Sequence, residues 1–294
     1  MEPRQISFEA IGTRWGIAVW NDLSEADWRE LQDKIAGRIE AFDQTYSRFR
    51  TGSRVSRWSR KAGSYELPDD GFALLDFYHR LYEATGGLVT PLIGQAMAEA
   101  GYDASYSFKS RPLQPVPEWD EVIKLSRNRL ELERPALLDV GAAGKGYLVD
   151  LVGGLLEAGG ADHYLIDAGG DLLHHNPARE PVRIGLENPQ DRSEAVGVAV
   201  IGNQSLCASS GSLRRWGKFH HIINPRSLES PQRVVATWAV ADEAMTADGL
   251  ATALFLVEPE ALKKQFKFAY AVLHDDMSMT YSADFPAELF EDGK

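Results

Sequence analysis

An aspartate and a threonine that lie four residues apart, Asp248 and Thr252, provide a carboxylate and a hydroxyl group. On a helix this spacing places both side chains on one face, and oxygen donors of this kind suit Mg²⁺. A structural role is the alternative, because an aspartate in the first helical turn interacts favourably with the helix dipole and a threonine hydroxyl can bond its own backbone. Taken alone, the pair therefore favours the structural role over a metal site.

A glycine-rich segment, residues 138–147, runs into a predicted helix and contains Lys145. Its small residues allow a ligand to approach the backbone, and the free N–H groups at the start of a helix attract an anion together with Lys145. The spacing is not that of a Walker A loop, and no Ser or Thr follows Lys145. A tight turn whose glycines serve packing is the alternative. A phosphate-binding loop beside Asp248 and Thr252 would favour the metal interpretation of that pair.

Two adjacent histidines, His220 and His221, follow a Ser-Ser-Gly segment at residues 209–211. We predict a strand over residues 221–223, and neighbouring side chains of a strand point to opposite faces, so at most one of the two histidines faces a given site. A histidine near its usual pKa is a natural general base. The serines, glycine and arginines around the pair favour a functional histidine over an isolated surface or core residue.

The spacing of apolar residues predicts the elements that position these segments. Apolar side chains recur every three or four residues after Ser24, a helix N-cap, and again over residues 74–82. Further helices are predicted at residues 144–160 and 246–256, the second capped by Thr246. The predicted strands lie within residues 6–20 and at residues 122–125, 130–132, 164–166, 182–186, 196–201, 221–223, 234–241 and 268–273.

The predicted strands cluster instead of alternating with helices, which favours an α+β fold over a doubly wound sheet. The polar turn at residues 127–129 lies between two apolar runs and indicates a hairpin. Residues 105–118 contain three prolines and are predicted as a loop. Two carboxylates flank a glycine pair at residues 167–171, which we interpret as a turn after a strand in preference to the edge of a ligand site.

The composition indicates a globular protein with an acidic surface. The 294 residues are 44% hydrophobic and carry a net charge of −12, which argues against a nucleic-acid partner because phosphate binding needs a basic surface. The single cysteine, Cys207, lies in an apolar segment and is interpreted as a core residue. No stretch approaches the roughly 18 apolar residues of a membrane span. The N-terminus lacks the basic and apolar regions of a signal peptide, so we expect a cytoplasmic protein.

Several segments, in order, resemble the FAD:protein FMN transferase family, the ApbE-like flavin transferases, and this resemblance extends from Gly12 to Thr252. The best single clue is the stretch at residues 220–226, and residues 139–150 are similar to the family's Asp-Leu-Gly-x-x-x-Lys-Gly-Tyr-x-x-Asp signature. Residues 209–211 and 221–225 resemble its Thr-Ser-Gly and His-Ile-Ile-Asp-Pro block. The remaining similar segments are residues 12–15, 46–57, 85–90 and 248–252.

The resemblance implies an ApbE-like, T-fold-like architecture of largely antiparallel sheets packed with helices, in one domain over residues 1–294 or in two intertwined subdomains. It implies Mg²⁺-dependent transfer of FMN from FAD to a Ser or Thr hydroxyl of an acceptor flavoprotein, with release of AMP. The metal ligands would be Asp248, Thr252 and a backbone carbonyl near Ala142. His221 would be the general base or would align the nucleophile. The residues implied to contact the cofactor are Phe49, Leu88, Val89, Thr90, Asp139, Lys145, Ser209, Gly211, His221 and Ile222.

The sequence departs from the family pattern around the implied flavin pocket. Asn224 stands where the family has an aspartate, Val89-Thr90 replaces a Phe-Asp turn, Phe49 replaces a tyrosine, and Ser212-Leu213 replaces an Asp-Tyr pair. Two alternatives to transfer therefore remain, a pyrophosphatase that splits FAD into FMN and AMP and a non-catalytic FAD-binding protein. A Rossmann-type dehydrogenase is disfavoured, because no Gly-x-Gly-x-x-Gly opens a helix after the first strand.

Overall fold

Helices and β-strands occur in mixed order in the computed structural model, which describes residues 2–212 and 214–290. Leu213, part of one departure from the family pattern, lies outside the described residues. The strands are β1 (Arg4–Ala10), β2 (Thr13–Val19), β3 (Gly63–Glu66), β4 (Ile123–Ser126), β5 (Arg129–Leu132), β6 (Tyr164–Ala168), β7 (Asp171–His175), β8 (Val182–Glu187), β9 (Ala195–Ile201), β10 (Gln204–Ser210), β11 (Arg215–Trp216), β12 (Phe219–His220), β13 (Val234–Ala241), β14 (Ala269–His274), β15 (Met279–Tyr281) and β16 (Ala287–Leu289). The helices are α1 (Glu25–Tyr46), α2 (Arg54–Trp58), α3 (Gly71–Ala84), α4 (Gly94–Glu99), α5 (Trp119–Val122), α6 (Gly144–Ala158), α7 (Ala244–Ala253) and α8 (Pro259–Leu262), with a 3₁₀ helix at Pro91–Ile93.

The largest sheet has eight strands in the order β1-β2-β6-β7-β10-β13-β14-β15, and every neighbouring pair is antiparallel. Smaller sheets are formed by β16-β9-β8, by β3-β5-β4 and by β11-β12. The predicted α+β class with largely antiparallel sheets is confirmed, and the predicted hairpin is the β4–β5 pair. The assignment of one domain or two intertwined subdomains stays a prediction.

The central sheet is covered on both faces, because successive residues of a strand point to opposite sides. On β10, Cys207 belongs to the larger core, which the helices α1, α6 and α7 share with the sheet, and it is fully buried as predicted. Its neighbour Leu206 belongs to a second core shared with β8 and β9. Helices α6 and α7 pack directly against β7 and against each other. The packing of α6 against β7 and α7 therefore fixes the position of its glycine-rich start.

The long helix α1 follows its sequence signals closely. The Ser24 side chain accepts a hydrogen bond from the Asp27 amide at 3.1 Å and so satisfies one of the free N–H groups at the helix start. The apolar residues at the predicted helical spacing are all buried in the main core: Trp28, Leu31, Ile35, Ile39 and Phe42.

A strand predicted from the sequence is absent from the structure. Residues 221–223 do not form a strand: β12 ends at His220, and both isoleucines that follow are buried, Ile223 in a small core with Trp216 and Phe219. Asn224 and Pro225 turn the chain there, because the Asn224 side chain accepts hydrogen bonds from the Arg226 and Ser227 amides and proline has no N–H group to donate. The run is apolar because it is buried, and apolarity alone does not separate a strand from a buried loop.

Helix α7 begins at Ala244 and ends at Ala253, whereas the sequence predicted residues 246–256 with Thr246 as the cap. The first N–H groups of α7 bond to a side chain from another helix, the Asp150 carboxylate, at 2.7 Å from the Ala244 nitrogen and 2.8 Å from the Met245 nitrogen. Such a cap cannot be found by searching for Ser, Thr, Asp or Asn next to the helix.

Strands β7 and β10 were also absent from the prediction. In the described part of the chain, no helix is long and apolar enough to cross a membrane.

Candidate active site

A cleft with a volume of about 700 Å³ opens between the start of α6, helix α7, the end of β10 and the segment that follows α1. Gly211 does not line it: the Gly211 amide donates to the Val235 carbonyl at 3.1 Å, and its Cα faces the ring of His220. All other predicted site residues line the cleft: Phe49, Leu88, Val89, Thr90, Asp139, Ala142, Lys145, Ser209, His221, Ile222, Asp248 and Thr252. Residues predicted from distant parts of the sequence are thus brought to one surface.

Three oxygen-bearing groups meet on one wall of this cleft. Asp248 and Thr252 lie one turn apart on α7, and the Thr252 hydroxyl lies 3.4 Å from the Ala142 carbonyl oxygen and 3.4 Å from the Ser209 hydroxyl. Asp248 is buried, and its Oδ2 accepts a hydrogen bond from the Gly146 amide at 2.8 Å. Burial raises the pKa of Asp248, and the positive charge of Lys145 opposes that rise.

The close approach of α6 and α7 makes this arrangement possible. A Cβ atom on Gly146 would lie 2.1 Å from the Ala244 carbonyl oxygen, so only glycine fits at this crossing. The Asp150 carboxylate, which caps α7 from α6, ties the same two helices together. Burial raises the pKa of Asp150 to about 7.

The oxygen-bearing groups have the chemistry of a hard-cation site. A carboxylate, a hydroxyl and a backbone carbonyl are all donors that Mg²⁺ accepts, and Mg²⁺ usually retains waters and substrate phosphates as its other ligands. No group of three or more His, Cys, Asp or Glu side chains suited to a metal occurs among residues 2–212 and 214–290. The candidate site instead combines one carboxylate with the hydroxyl of Thr252 and the backbone carbonyl of Ala142.

Lys145, in the first turn of α6, points from the glycine-rich loop towards the sheet. Its ammonium forms an ion pair with Asp171, the first residue of β7, whose side chain is fully buried. The turn before Asp171 contains Gly169 and Gly170, both at positive φ, 66° and 97°. Residues 167–171 therefore form the expected turn after a strand, but one of its carboxylates reaches a residue of the cleft.

His221 is the histidine of the pair that reaches the cleft. Its Nδ1 atom is enclosed and has no hydrogen-bond partner among the described residues. Burial, assisted by the positive charge of Arg214, lowers the pKa of His221 to about 3, so the imidazole is neutral at physiological pH. His220 is held elsewhere, with its Nε2 at 2.7 Å from the Pro231 carbonyl oxygen.

The other end of the cleft is formed by the predicted Phe49 together with Arg48, Tyr102 and Tyr106, which sequence reasoning did not single out. Arg48 has a side chain only 3% exposed; its Nε bonds to Asp139 and its Nη1 donates to the Tyr102 carbonyl at 2.6 Å. Its Nη2 has no hydrogen-bond partner in the described residues. The guanidinium lies 4.2 Å from the centroid of the Phe49 ring, which stacks on Tyr106 with centroids 5.1 Å apart. The available signal was the density of aromatic residues at 102–108, just before and at the start of the predicted loop of residues 105–118.

Two of the departures from the family pattern, Val89-Thr90 and Asn224, take part in local hydrogen bonds. The Val89 amide bonds to the Thr85 hydroxyl at 3.0 Å, and the Thr90 hydroxyl accepts from the Leu92 amide at the start of the 3₁₀ helix. Both residues are buried, so this wall of the cleft is closed and mostly apolar. The Asn224 oxygen accepts two backbone hydrogen bonds, a function that needs an acceptor but no charge.

Comparison with known proteins agrees with this geometry. The sequence model of the ApbE family matches residues 11–272. Among similar proteins, the FAD:protein FMN transferase of Klebsiella pneumoniae (strain 342) is 26% identical over 274 residues, covering 86% of this chain and 78% of the relative. The FAD:protein FMN transferase of Haemophilus influenzae is 28% identical over 295 residues, covering 91% and 84%.

Solved structures show the same fold. Flavin transferase ApbE from Vibrio cholerae superposes with a TM-score of 0.80 at 24% identity, covering 97% of this chain and 98% of that one. The ApbE protein of Thermotoga maritima superposes with a TM-score of 0.85 at 18% identity, covering 98% and 100%. These similarities confirm the predicted ApbE-like fold. With the family match spanning most of the sequence, they show that this chain belongs to the ApbE family.

Proposed function

We propose that this chain is a FAD:protein FMN transferase, which moves FMN from FAD to a Ser or Thr hydroxyl of an acceptor flavoprotein and releases AMP. The observation that carries the proposal is the meeting of Asp248, Thr252 and the Ala142 carbonyl beside Lys145 and the first turn of α6, all in one cleft. Its volume of about 700 Å³ is in the range of cofactor-binding pockets. The names of the relatives support the same activity.

The two ends of the cleft suit two chemical parts of FAD, the pyrophosphate and the isoalloxazine ring. The pyrophosphate fits the end with Lys145 and the N-terminus of α6, because an ammonium and the positive end of a helix dipole attract anions. The isoalloxazine ring fits the other end, where Phe49, Val89 and Tyr102 provide flat or apolar surface. The unpaired Nη2 of Arg48 provides a donor there for a carbonyl or ring nitrogen of the flavin.

The oxygen-bearing groups near Thr252 fit Mg²⁺, with Asp248, Thr252 and the Ala142 carbonyl as its protein ligands. When bound, Mg²⁺ would neutralise charge on the phosphoryl oxygens of FAD. The Gly146 amide fixes the Asp248 carboxylate, and the Ser209 hydroxyl lies next to that of Thr252, so both ligands are oriented by their neighbours.

In the proposed reaction, the acceptor hydroxyl oxygen attacks the phosphorus on the FMN side of the pyrophosphate. A new P–O bond forms to the acceptor, the bond to the bridging oxygen breaks, and AMP leaves with the electron pair. The hydroxyl proton leaves with the products. Lys145 stabilises the charge on the phosphoryl oxygens, and positioning with charge stabilisation accounts for most catalysis of phosphoryl transfer.

The low pKa of His221 favours one of the two roles predicted for it. An imidazole with a pKa of about 3 holds a proton weakly, so full removal of the hydroxyl proton by His221 in the free protein is unfavourable. The neutral ring accepts a hydrogen bond readily. We therefore assign His221 to the alignment of the acceptor hydroxyl. Its substitution by alanine should lower the rate of transfer while FAD still binds.

Mass spectrometry of the reaction products tests the proposed function. The chain is incubated with FAD, Mg²⁺ and a flavoprotein acceptor that has an accessible Ser or Thr, and the acceptor is weighed intact. We expect an FMN adduct on the acceptor and free AMP. AMP without an adduct would identify a pyrophosphatase, and bound FAD with neither product would identify a non-catalytic binding protein. The cytoplasmic location inferred from the sequence stays a prediction.

A further inference from the structure

Asp171 is a fully buried carboxylate that the proposed reaction does not use directly. It begins β7, which pairs with β6 on one side and with β10 on the other, where Asp171 lies opposite Cys207. Pairing with Cys207 holds the backbone of Asp171 on the β10 side, and the Gly169-Gly170 turn leads the chain into it from β6. A buried charge is costly unless it is paired. Its ion-pair partner is Lys145, so Asp171 connects the interior of the sheet to the cleft.

Lys145 lies between two buried carboxylates, Asp171 and Asp248. It forms an ion pair with Asp171, while no contact within 4.0 Å joins its ammonium to Asp248. Asp248 is nevertheless close enough for the charge of Lys145 to act on it. The next residue after the lysine, Gly146, donates its amide to Asp248. The ammonium is therefore held towards Asp171, although a second carboxylate lies within reach of its charge.

This geometry has a consequence for cation binding. An ammonium that is not held by Asp171 is attracted to the nearest remaining carboxylate, that of Asp248. Lys145 would then neutralise the one carboxylate of the proposed Mg²⁺ site and compete with the cation. It would also leave the position from which it contacts the phosphoryl oxygens.

We propose that Asp171 is a positioning residue, which holds the Lys145 ammonium away from Asp248 so that this carboxylate remains available to a divalent cation. The inference rests on the proposed function for the presence of Mg²⁺ in the cleft. It concerns residues of this chain and does not require knowledge of the acceptor. It gives a chemical role to the carboxylate that ends the Asp-Ala-Gly-Gly-Asp turn.

Titration of the protein with Mg²⁺ alone, by calorimetry without FAD or acceptor, tests this role. Asp171→Asn should weaken Mg²⁺ binding by about 10-fold or more, because the released Lys145 ammonium competes with the cation for Asp248. Lys145→Met should not weaken it, because the competing charge is gone. The double variant should bind Mg²⁺ as Lys145→Met does. This rescue separates positioning through Lys145 from general damage to the fold.

Asp167→Asn is the matched control. Asp167 is the other carboxylate of the same turn, but it is exposed, and among the described residues its side chain accepts a hydrogen bond only from the Gly170 amide, at 3.0 Å. Its substitution should leave Mg²⁺ binding unchanged. If Asp171→Asn does not fold, the Mg²⁺ affinity of the double variant can still be compared with that of Lys145→Met. Removal of the then unpaired Asp171 charge should make the double variant the more stable of those two.

Three results would overturn the inference. The first is unchanged Mg²⁺ affinity in folded Asp171→Asn, and the second is a double variant that binds Mg²⁺ as weakly as Asp171→Asn or more weakly than Lys145→Met. Both leave the proposed transferase function intact. The third is an absence of Mg²⁺ binding to the unaltered protein, which would contradict the metal part of the proposed function as well.

Discussion

The contact between α6 and α7 at Gly146 leads to a sharp prediction, because the structure offers a matched control on the same helix. In Gly146→Ala, the new Cβ would lie 2.1 Å from the Ala244 carbonyl oxygen and 2.7 Å from the Cβ of Asp248. In Gly154→Ala, the new Cβ would meet no atom within 4 Å. The two substitutions are chemically identical and differ only in their surroundings.

The size of the effect follows from these distances. Ordinary contacts of a Cβ begin at 3.4 Å, so the helices would have to separate by about 1.3 Å at Gly146. Overpacking of this kind costs about 1–3 kcal/mol, and weakening the bond between the Gly146 amide and the buried Asp248 carboxylate adds about 1.5 kcal/mol or more. Gly154→Ala should instead stabilise the protein by up to about 1 kcal/mol, since alanine favours the helix over glycine.

Urea unfolding of the two variants measures this difference. We expect Gly146→Ala to lose roughly 2–5 kcal/mol of unfolding free energy and Gly154→Ala to lose none. Gly146→Ala should also bind Mg²⁺ more weakly, because the separation of α6 from α7 moves Asp248 relative to Ala142. Equal unfolding free energies for the two variants, with equal Mg²⁺ affinity, would refute the claim that the close approach of α6 and α7 forms the site.

Three further predictions concern individual side chains. Arg48→Met should raise the dissociation constant of FAD roughly 10- to 100-fold by removing a charged donor from the cleft, as measured by flavin fluorescence; an unchanged constant would contradict the role of the unpaired Nη2. Asp248→Asn should lower AMP release at least about 100-fold, and near-normal release in a kinetic assay would exclude Asp248 as a metal ligand. Because the pKa of His221 is lowered to about 3 in the folded protein, the unfolded chain binds more protons below its own pKa of about 6.5, and stability falls as the pH falls. Between pH 7 and pH 5, this difference in proton binding should lower the unfolding free energy by about 2 kcal/mol. Urea unfolding should therefore show that His221→Gln loses about 2 kcal/mol less stability over this interval than the unaltered protein. An equal loss in both proteins would contradict the lowered pKa of His221.

Much of the fold could be predicted from local patterns. The apolar spacing after Ser24 gave α1 with its buried face, and the polar turn at residues 127–129 gave the β4–β5 hairpin. The wrong strand at residues 221–223 has a physical reason: buried isoleucines satisfy the same apolar pattern whether they lie in a strand or in a buried loop. Local pattern identifies elements well where one face is exposed and the other buried.

The candidate site was predictable where its residues belong to recognisable segments. Asp248, Thr252 and Lys145 were placed in the cleft because their segments resemble the family in order along the chain. Arg48 and Asp171 were not identified, since their significance depends on partners that lie far away in sequence, Asp139 and Lys145 respectively. The Asp150 cap of α7 was not predicted for the same reason, because Asp150 lies on α6, far from Ala244 in sequence. No local pattern specifies which distant side chain completes an ion pair or a helix cap.

The ratio of AMP released to acceptor labelled with FMN tests the central claim most directly. Both are measured over time in one reaction with FAD and Mg²⁺, once with an acceptor that carries its target Ser or Thr and once with that residue changed to Ala. The proposed transferase predicts a ratio close to one with the intact acceptor and neither product in quantity with the altered one. AMP release that is independent of the target hydroxyl would contradict transfer and indicate hydrolysis of FAD by water.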